Sequence, residues 1–568
     1  MRCVRAGLSA VFSSRRALLW LGVTAVSLTL TAVAVGAGVL APTVTVTQTT
    51  LGLNDGVSGG FEPPDVSLGA GPGFVVEVVN LASRVWRTGD GAPQPVQTIT
   101  LASLFSTGAD RLTDPRILYD APSSRWFATV SDIDTGSVVL AASRSSDPTV
   151  GWNTYSFPSG GCPDQPRLGV ADGTVVIAAD IFSSCEQTFS PALGAELWIV
   201  NKQQLVAGVA TVSSATYGPN RAYESLAPVQ SLSPTSTEYV VAVDIPSARA
   251  VHLLTVDGIP PASVSVQEVA SPPVSPLQQP PPAEQLASAS SFRQPSIDTN
   301  DDRVLDSVWE NGRLWLSANS GCTPSGDTKL RSCARVIELA TATRSVTWDT
   351  DVSQSGAYVY FPAIRPDASG NLVIVYGESS STELPRLVAL GRAPDGTFSA
   401  PVTVAQSAGT HQGKRFGDYF GAARDPLDPA LVWVAGEHGV DVANTRGWST
   451  AIAAVEVTSA GAQPPAVSAP TPPGLKARPV TARAGAAVRL SYVALGGGTA
   501  VRRRVVVSAK STVLFSTATK PGSLDVSQSY SVLWRPARRL HGTFRWCVRS
   551  ILADGTQSPQ SCSTVTLR

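Results

Sequence analysis

Seven times between Asp65 and Glu437 the chain repeats one order of positions: a polar stretch, a short apolar strand, a turn and a second, more strongly apolar strand. The second strands read as Phe74–Val79, Trp126–Val130, Thr174–Ala179, Tyr239–Val243, Leu314–Ala318, Leu372–Tyr376 and Leu431–Ala435. Turns precede them, such as Asp120–Arg125, Ala171–Gly173, Glu310–Gly312, Asp367–Gly370 and Asp425–Pro429, where Asp, Asn, Gly and Pro supply the backbone geometry of a tight reversal. With Asp65, Asp114, Asp164, Glu224, Asp306, Phe361 and Asp418 as landmarks, the intervals are about 49, 50, 60, 82, 55 and 57 residues. A period near 50 with several strands per unit predicts a β-propeller, because one such repeat cannot cover its own apolar faces and must stack on its neighbours. The expected fold is all-β, a seven-bladed β-propeller over residues 42–457 followed by a small β-sandwich module; an array of sandwiches is the competing arrangement. Thr43–Gln48 alternates well enough to close the ring beside Ala451–Val457.

The long fourth interval contains Ser271–Glu284, too rich in proline to pair in a sheet and expected to run over the surface between blades. Residues 458–475 have the Pro, Ala and Ser content of a linker. Beyond it, residues 476–568 alternate apolar and polar over a length that suits a sandwich.

Residues 1–41 stand outside this pattern. Arg2, Arg5, Arg15 and Arg16 precede an uncharged apolar run from Ala17 to about Ala41 with small residues near its end, the layout of an export signal. The run is also long enough for a single retained N-terminal membrane anchor. Ser14–Leu19 resembles a twin-arginine export signal. Six cysteines follow in three close pairs, for which local pairing, Cys162 with Cys185, Cys322 with Cys333 and Cys547 with Cys562, is the first choice. Such pairing implies an oxidising compartment, so the protein is expected to be secreted or held in the extracytoplasmic envelope, as a monomer.

Charge divides unevenly along the chain. Residues 476–568 carry a net charge of +13, with Arg502, Arg503, Arg504, Arg535, Arg538 and Arg539 as the densest clusters, whereas residues 42–475 carry about −17. A basic tail suggests attachment to an anionic envelope polymer or lipid surface. Export argues against nucleic acid as the partner.

Two resemblances add to this reading. Gly542–Arg549 (GTFRWCVR), then Asp554–Gly555 and Ser561–Cys562, is similar to the last hairpin of bacterial fibronectin type III or immunoglobulin-like modules. Asp114–Asp120 (DPRILYD), Asp164–Gly169 (DQPRLG), Ile297–Arg303 (IDTNDDR) and Gly417–Gly421 (GDYFG) resemble secreted bacterial propellers broadly related to the sialidase-like group. A sialidase would need an arginine triad, a tyrosine activated by a glutamate and an acidic proton donor. Arg116, Arg167, Arg365, Arg424, Tyr419, Glu378 and Asp418 supply the residue types, but not at that family's positions, and its repeated Asp box is absent.

No catalytic set emerges. Gly56–Gly60 has the letters of a nucleophile elbow and reads as a loop. His252, His411, His438 and His541 lack paired metal spacing, although His411 and His438 flank the last blade. Asp298, Asn300 and Asp302 alternate like the first ligands of a calcium loop, yet Arg303 and Trp309 occupy the places of the required Gly and Glu, which excludes an EF-hand and leaves a calcium site of another kind. Calcium is thus the only cofactor suggested. Trp86, Trp126, Trp152, Trp198, Trp309, Trp315 and Trp433 fit core packing better than glycan stacking. Asp65, Asp114, Arg116, Asp164, Arg167, Asp418 and Tyr419 are the expected contacts on one propeller face. The expected function is non-catalytic binding of a cell-surface glycan or protein; a sialidase-like glycoside hydrolase and a structural envelope component are the alternatives.

Overall fold

The computed structural model describes residues 41–568 apart from 90, 109–110, 187–189, 288–295, 414, 442–446, 460–473, 496–497, 511, 521, 525–527 and 552–556. The export signal or anchor, most of the 458–475 linker and the Asp554–Gly555 turn lie outside the described residues. Among the described residues, no helix is long and apolar enough to cross a membrane.

The chain is all-β, with three helices of one or two turns at Asp55–Ser58, Leu101–Phe105 and Lys202–Ala207. Residues 43–458 form seven four-stranded antiparallel groups. Their first strands are Ser67–Gly71, Leu112–Asp120, Cys162–Val170, Ala227–Pro228, Val304–Glu310, Tyr358–Pro366 and Gly421–Arg424. Each apolar run read from the sequence falls in the second strand of one group. The first strands lie against one another in chain order, and Gly421–Arg424 lies against Ser67–Gly71. Gln230–Ser231 pairs in parallel with both Val170 and Val308–Trp309, joining the third group to the fifth by hydrogen bonds.

The chain's first strand completes the seventh group. Thr43–Asn54 pairs antiparallel with Ser449–Thr458, from Thr43 opposite Thr458 to Asn54 opposite Ser449. Glu77, on the second strand of the first group, ties this seam to its neighbour: it accepts from the Leu53 backbone at 2.9 Å and from the Thr450 hydroxyl. Burial pushes its carboxyl up to about 7.

The cores lie between neighbouring groups, which explains why the second strands are apolar on both faces. Phe74, Val76 and Val78 pack with Trp126, Ala128 and Val130; Phe127 and Leu140 pack with Val175 and Ile177 on the other side. Burying each large side chain stabilises by about 1.5–3 kcal/mol. Close stacking also dictates glycine: a Cβ on Gly71 would stand 2.4 Å from the Trp126 ring.

Bulges interrupt the first strands of the second, third and sixth groups between Thr113 and Arg116, Asp164 and Arg167, and Tyr360 and Ala363. In each, one residue adopts a positive φ, Asp114 at 59°, Gln165 at 46° and Phe361 at 55°, and a proline follows it. A bulge re-aims the side chains around it. Here it sets Asp114 and Gln165 at one end of the strands and Arg116 and Arg167 two residues further in.

The proline-rich Ser271–Glu284 departs from expectation. Rather than standing off the surface, it buries Leu277 and Ala283, and its backbone bonds Arg249 and Ala248 through Val274 and Leu277. Proline prevents regular pairing there, but isolated backbone bonds and two apolar anchors suffice to hold the segment down.

In residues 474–568 a sheet of Leu475–Ala477, Val488–Ala494 and Ser529–Trp534 faces a larger one containing Gly498–Ala509, Gly542–Ile551 and Ser561–Leu567. Leu490, Val505, Val507, Trp534, Trp546 and Val565 share one core between them. All three expected disulfides are formed.

Candidate functional site

The starts of the first strands bring carboxylates together. Asp65, Asp114 and Asp418 are buried, and one oxygen of each lies within 4.8 Å of the others. Each is engaged. Asp65 accepts from Asn80 Nδ2 at 2.7 Å and from the Asp418 backbone at 2.9 Å. Asp114 accepts from Thr113 Oγ1 at 3.2 Å and the Gln165 backbone at 3.4 Å. Asp418 accepts from Gln165 Nε2 at 2.9 Å and pairs with Arg415. Arg303 reaches in from the fifth group to Asp180 at 2.7 Å and Gln165 Oε1 at 3.0 Å. Burial first, then the neighbouring carboxylates, holds Asp65 and Asp114 above the ordinary range and pushes Asp164, at the same mouth, to about 8. At this mouth burial and mutual repulsion both oppose ionisation. Its three buried oxygens are also the donor type a hard divalent cation takes.

Further along the same axis the chemistry reverses. A cavity of about 240 Å³ is lined from all seven groups and contains the arginines Arg116, Arg167, Arg365 and Arg424. Arg116 reaches the Leu305 carbonyl at 3.4 Å and lies 3.2 Å above the centre of the Tyr419 ring. Arg365, 5% exposed, donates to the Ala422 carbonyl at 2.9 Å and meets Asp306 at 3.4 Å. Arg167, 4% exposed, meets Asp180 at 3.3 Å. Among the described residues, four of their buried nitrogens have no hydrogen-bond partner: Arg116 Nε and Nη2, Arg167 Nε and Arg365 Nη1. Leaving a buried donor unmade costs about 1–3 kcal/mol, more when it is charged. Burial accordingly lowers the Arg167 and Arg365 guanidinium pKa values.

The carboxylates around this cavity are occupied. Asp120 pairs with Lys202 at 2.8 Å, Glu310 with Arg424 at 2.8 Å and Asp306 with Arg365, while Asp425 accepts from Trp433 Nε1 at 2.9 Å.

Of the residues expected on one face, Asp65, Asp114, Asp164 and Asp418 gather at the acidic mouth, and Arg116 and Arg167 line the arginine cavity. Tyr419 is 1% exposed, with its hydroxyl donating to the Pro115 carbonyl at 3.1 Å, so it supports Arg116 from below. The tyrosine–glutamate pair of a sialidase is not assembled: Glu378 pairs with Arg386, and burial raises Tyr419 well above its usual value. Of Asp298, Asn300 and Asp302, Asn300 lines the acidic mouth, and the two carboxylates bond different backbone groups. Asp298 is exposed and accepts from the Asn300 backbone at 2.9 Å, whereas buried Asp302 accepts from the Ser247 backbone at 2.7 Å.

His411 Nδ1 lies 3.3 Å from Glu437 Oε1, and burial lowers His411 to about 4. Ser58 of the elbow-like run is buried in a short helix and donates to its own turn at Asp55. Of the seven tryptophans named from the sequence, Trp152 is half-buried and the other six are buried. In the tail, Arg502, Arg504, Arg535, Arg538 and Arg539 are exposed, while Arg503 lies over Tyr530 of the smaller sheet, 5.5 Å from the ring centre. Residues outside the expected contact set complete both ends: Asn80, Gln165, Arg303 and Arg415 at the acidic mouth, and Asp306 beside Arg365. The signal for Gln165 was present, since Gln165-Pro166-Arg167 repeats Asp114-Pro115-Arg116.

No protein-family model and no curated protein matches the sequence. Solved structures similar to the chain include the Dos1 propeller, at 10% identity over 72% of this chain and 95% of that one, with a TM-score of 0.33. A mutant Trypanosoma rangeli sialidase displaying trans-sialidase activity is 10% identical over 80% and 85%, with a TM-score of 0.29. An α-L-arabinofuranosidase from Fusarium graminearum is 11% identical over 69% and 93%, with a TM-score of 0.31. At these scores the reading of the site rests on its own geometry.

Proposed function

We propose that this is an exported envelope protein, a seven-bladed β-propeller followed by a fibronectin- or immunoglobulin-like sandwich, whose ring binds a glycan or protein ligand without catalysis. The ligand presents an acidic group to the arginine-lined end of the axis. The single observation that carries this reading is the gathering of Arg116, Arg167, Arg365 and Arg424 around one cavity, three of them with buried guanidinium nitrogens that have no hydrogen-bond partner among the described residues. Charged donors of that kind are worth about 1.5–3 kcal/mol each once an oxyanion accepts from them. Against hydrolysis stands the state of the carboxylates: glycoside cleavage needs two that are free to act as acid and as base or nucleophile, and those bordering the cavity are committed to partners. Three disulfides fit an oxidising compartment. The basic tail would hold the protein to the envelope.

The test is a paired screen of glycans and peptides, each offered with its acid free and as the neutral ester or amide. Free-acid members bind and their neutral partners do not. Turnover of any bound glycan would favour the hydrolase instead.

A further inference from the structure

The tail's larger sheet carries an arrangement that its own fold does not explain. On Gly498–Ala509 and Gly542–Ile551, Val505, Val507, Trp546 and Val548 face the core, so alternation puts Arg502, Arg504, Arg545 and Arg549 together on the opposite face. Arg504 stands directly opposite Arg549. Like charges in that position are destabilising. No described carboxylate side chain relieves them, because the module's two, Asp525 and Asp554, lie outside the described residues. Arg502, Arg504 and Arg545 are exposed and Arg549 half-buried. Neutral groups alone hold two of them: Arg549 donates to Gln557 Oε1 at 2.7 Å and Arg545 to Cys562 Sγ at 3.3 Å.

The shape of this array selects its partner. Arg502 and Ser508, which is opposite Arg545, are six residues apart on one strand, so the row is about 20 Å long and only about 5 Å wide. Thr564, opposite Arg545, and Thr566, opposite Thr543, add hydroxyls along the neighbouring strand. A narrow row of planar forks beside hydroxyls matches a single extended chain of oxyanions better than the plane of a membrane, which would meet a broad patch; exposed Val513, opposite Ser508, adjoins the row at its end.

We propose that this arginine row is a binding track for a linear polyanionic envelope polymer. The proposal rests on the reading of the tail as an attachment module and names its ligand class. Phosphate and carboxylate polymers share the required chemistry, and the probes separate them.

Full-length protein is titrated with inorganic polyphosphate, with polygalacturonate and with vesicles containing phosphatidylglycerol. Wild type binds at least one polymer, more weakly as salt rises. Arg504→Gln/Arg549→Gln weakens it at least about tenfold, whereas Arg535→Gln/Arg538→Gln, an equal charge loss elsewhere in the module, changes it less than about threefold. Removing the facing pair leaves the melting temperature unchanged or raises it, since repulsion is relieved. Arg365→Gln, in the ring, leaves polymer binding intact, so failure of the ring's proposed ligand site is read separately. Binding to neither polymer, equal losses in the two double variants, binding to vesicles alone, or a lowered melting temperature in Arg504→Gln/Arg549→Gln each overturns the proposal.

Discussion

Two clusters along the first strands, one at their starts and one two residues further in, carry opposite charges in opposite states. At the acidic mouth, Asp65, Asp114 and Asp418 are buried close together, yet Asn80, Gln165, Arg415 and the local backbone satisfy them. At the other end, Arg116, Arg167 and Arg365 keep N–H groups that nothing accepts. Density of charge therefore does not mark the ligand site. The marker is unmet hydrogen-bonding capacity, because a saturated cluster stabilises the ring and an unsaturated one gains when a ligand arrives.

The largest effect expected from this contrast is on stability. Asp418→Ala removes the acceptor for Gln165 Nε2 and the partner of Arg415, and should destabilise the fold by about 3 kcal/mol in urea unfolding while leaving ligand affinity within about twofold. Strong loss of ligand binding in a folded Asp418→Ala protein would erase the distinction between the two ends. Next comes affinity: Arg365→Gln or Arg116→Gln should weaken an acid-bearing ligand by about ten- to hundredfold, corresponding to about 1.5–3 kcal/mol, with circular dichroism verifying the fold.

Glu77 sharpens the comparison through pH. Its folded pKa, about 7, lies above its ordinary value of 4.5, so its contribution is complete below about pH 4.5 and is lost as pH rises through about 7. Glu77→Gln should flatten the pH dependence of unfolding in that window by about 1 kcal/mol per pH unit. His411 has the opposite sign. Its folded value, about 4, lies below 6.5, and its contribution is lost as pH falls through 4, so the Glu77 effect must be taken as the difference between variant and wild type. The smallest effect belongs to Asp298→Asn, an exposed residue at the edge of the acidic mouth beside Arg415, expected to change stability by less than about 0.5 kcal/mol.

The strand pattern was legible because each second strand is buried on both faces and is mostly apolar, as in Phe74–Val79, where Glu77 is the one charged residue. The closing strand Thr43–Asn54 was legible for a different reason, its alternation at the rim of the last group. The site was legible only in part. Asp114 and Arg116 belong to one three-residue motif, yet the bulge at Asp114 places them at opposite functional ends, and residue spacing alone does not reveal a bulge. Asn80 and Arg303 come from other segments and join the mouth only when the ring assembles. Alternating acidic residues at 298–302 looked like a ligand set because the sequence does not show that buried Asp302 turns to Ser247 while Asp298 stays exposed on its own turn.

Isothermal titration of an acid-bearing ligand from the paired screen into wild type and the Arg116→Gln/Arg365→Gln protein tests the central claim most directly. Micromolar or tighter binding is expected for wild type with the free acid, with at least about hundredfold weakening in the variant and none detectable for the neutral partner. Equal binding of acid and neutral forms, or an unchanged affinity in the folded variant, would contradict an oxyanion site at the arginine end of the axis.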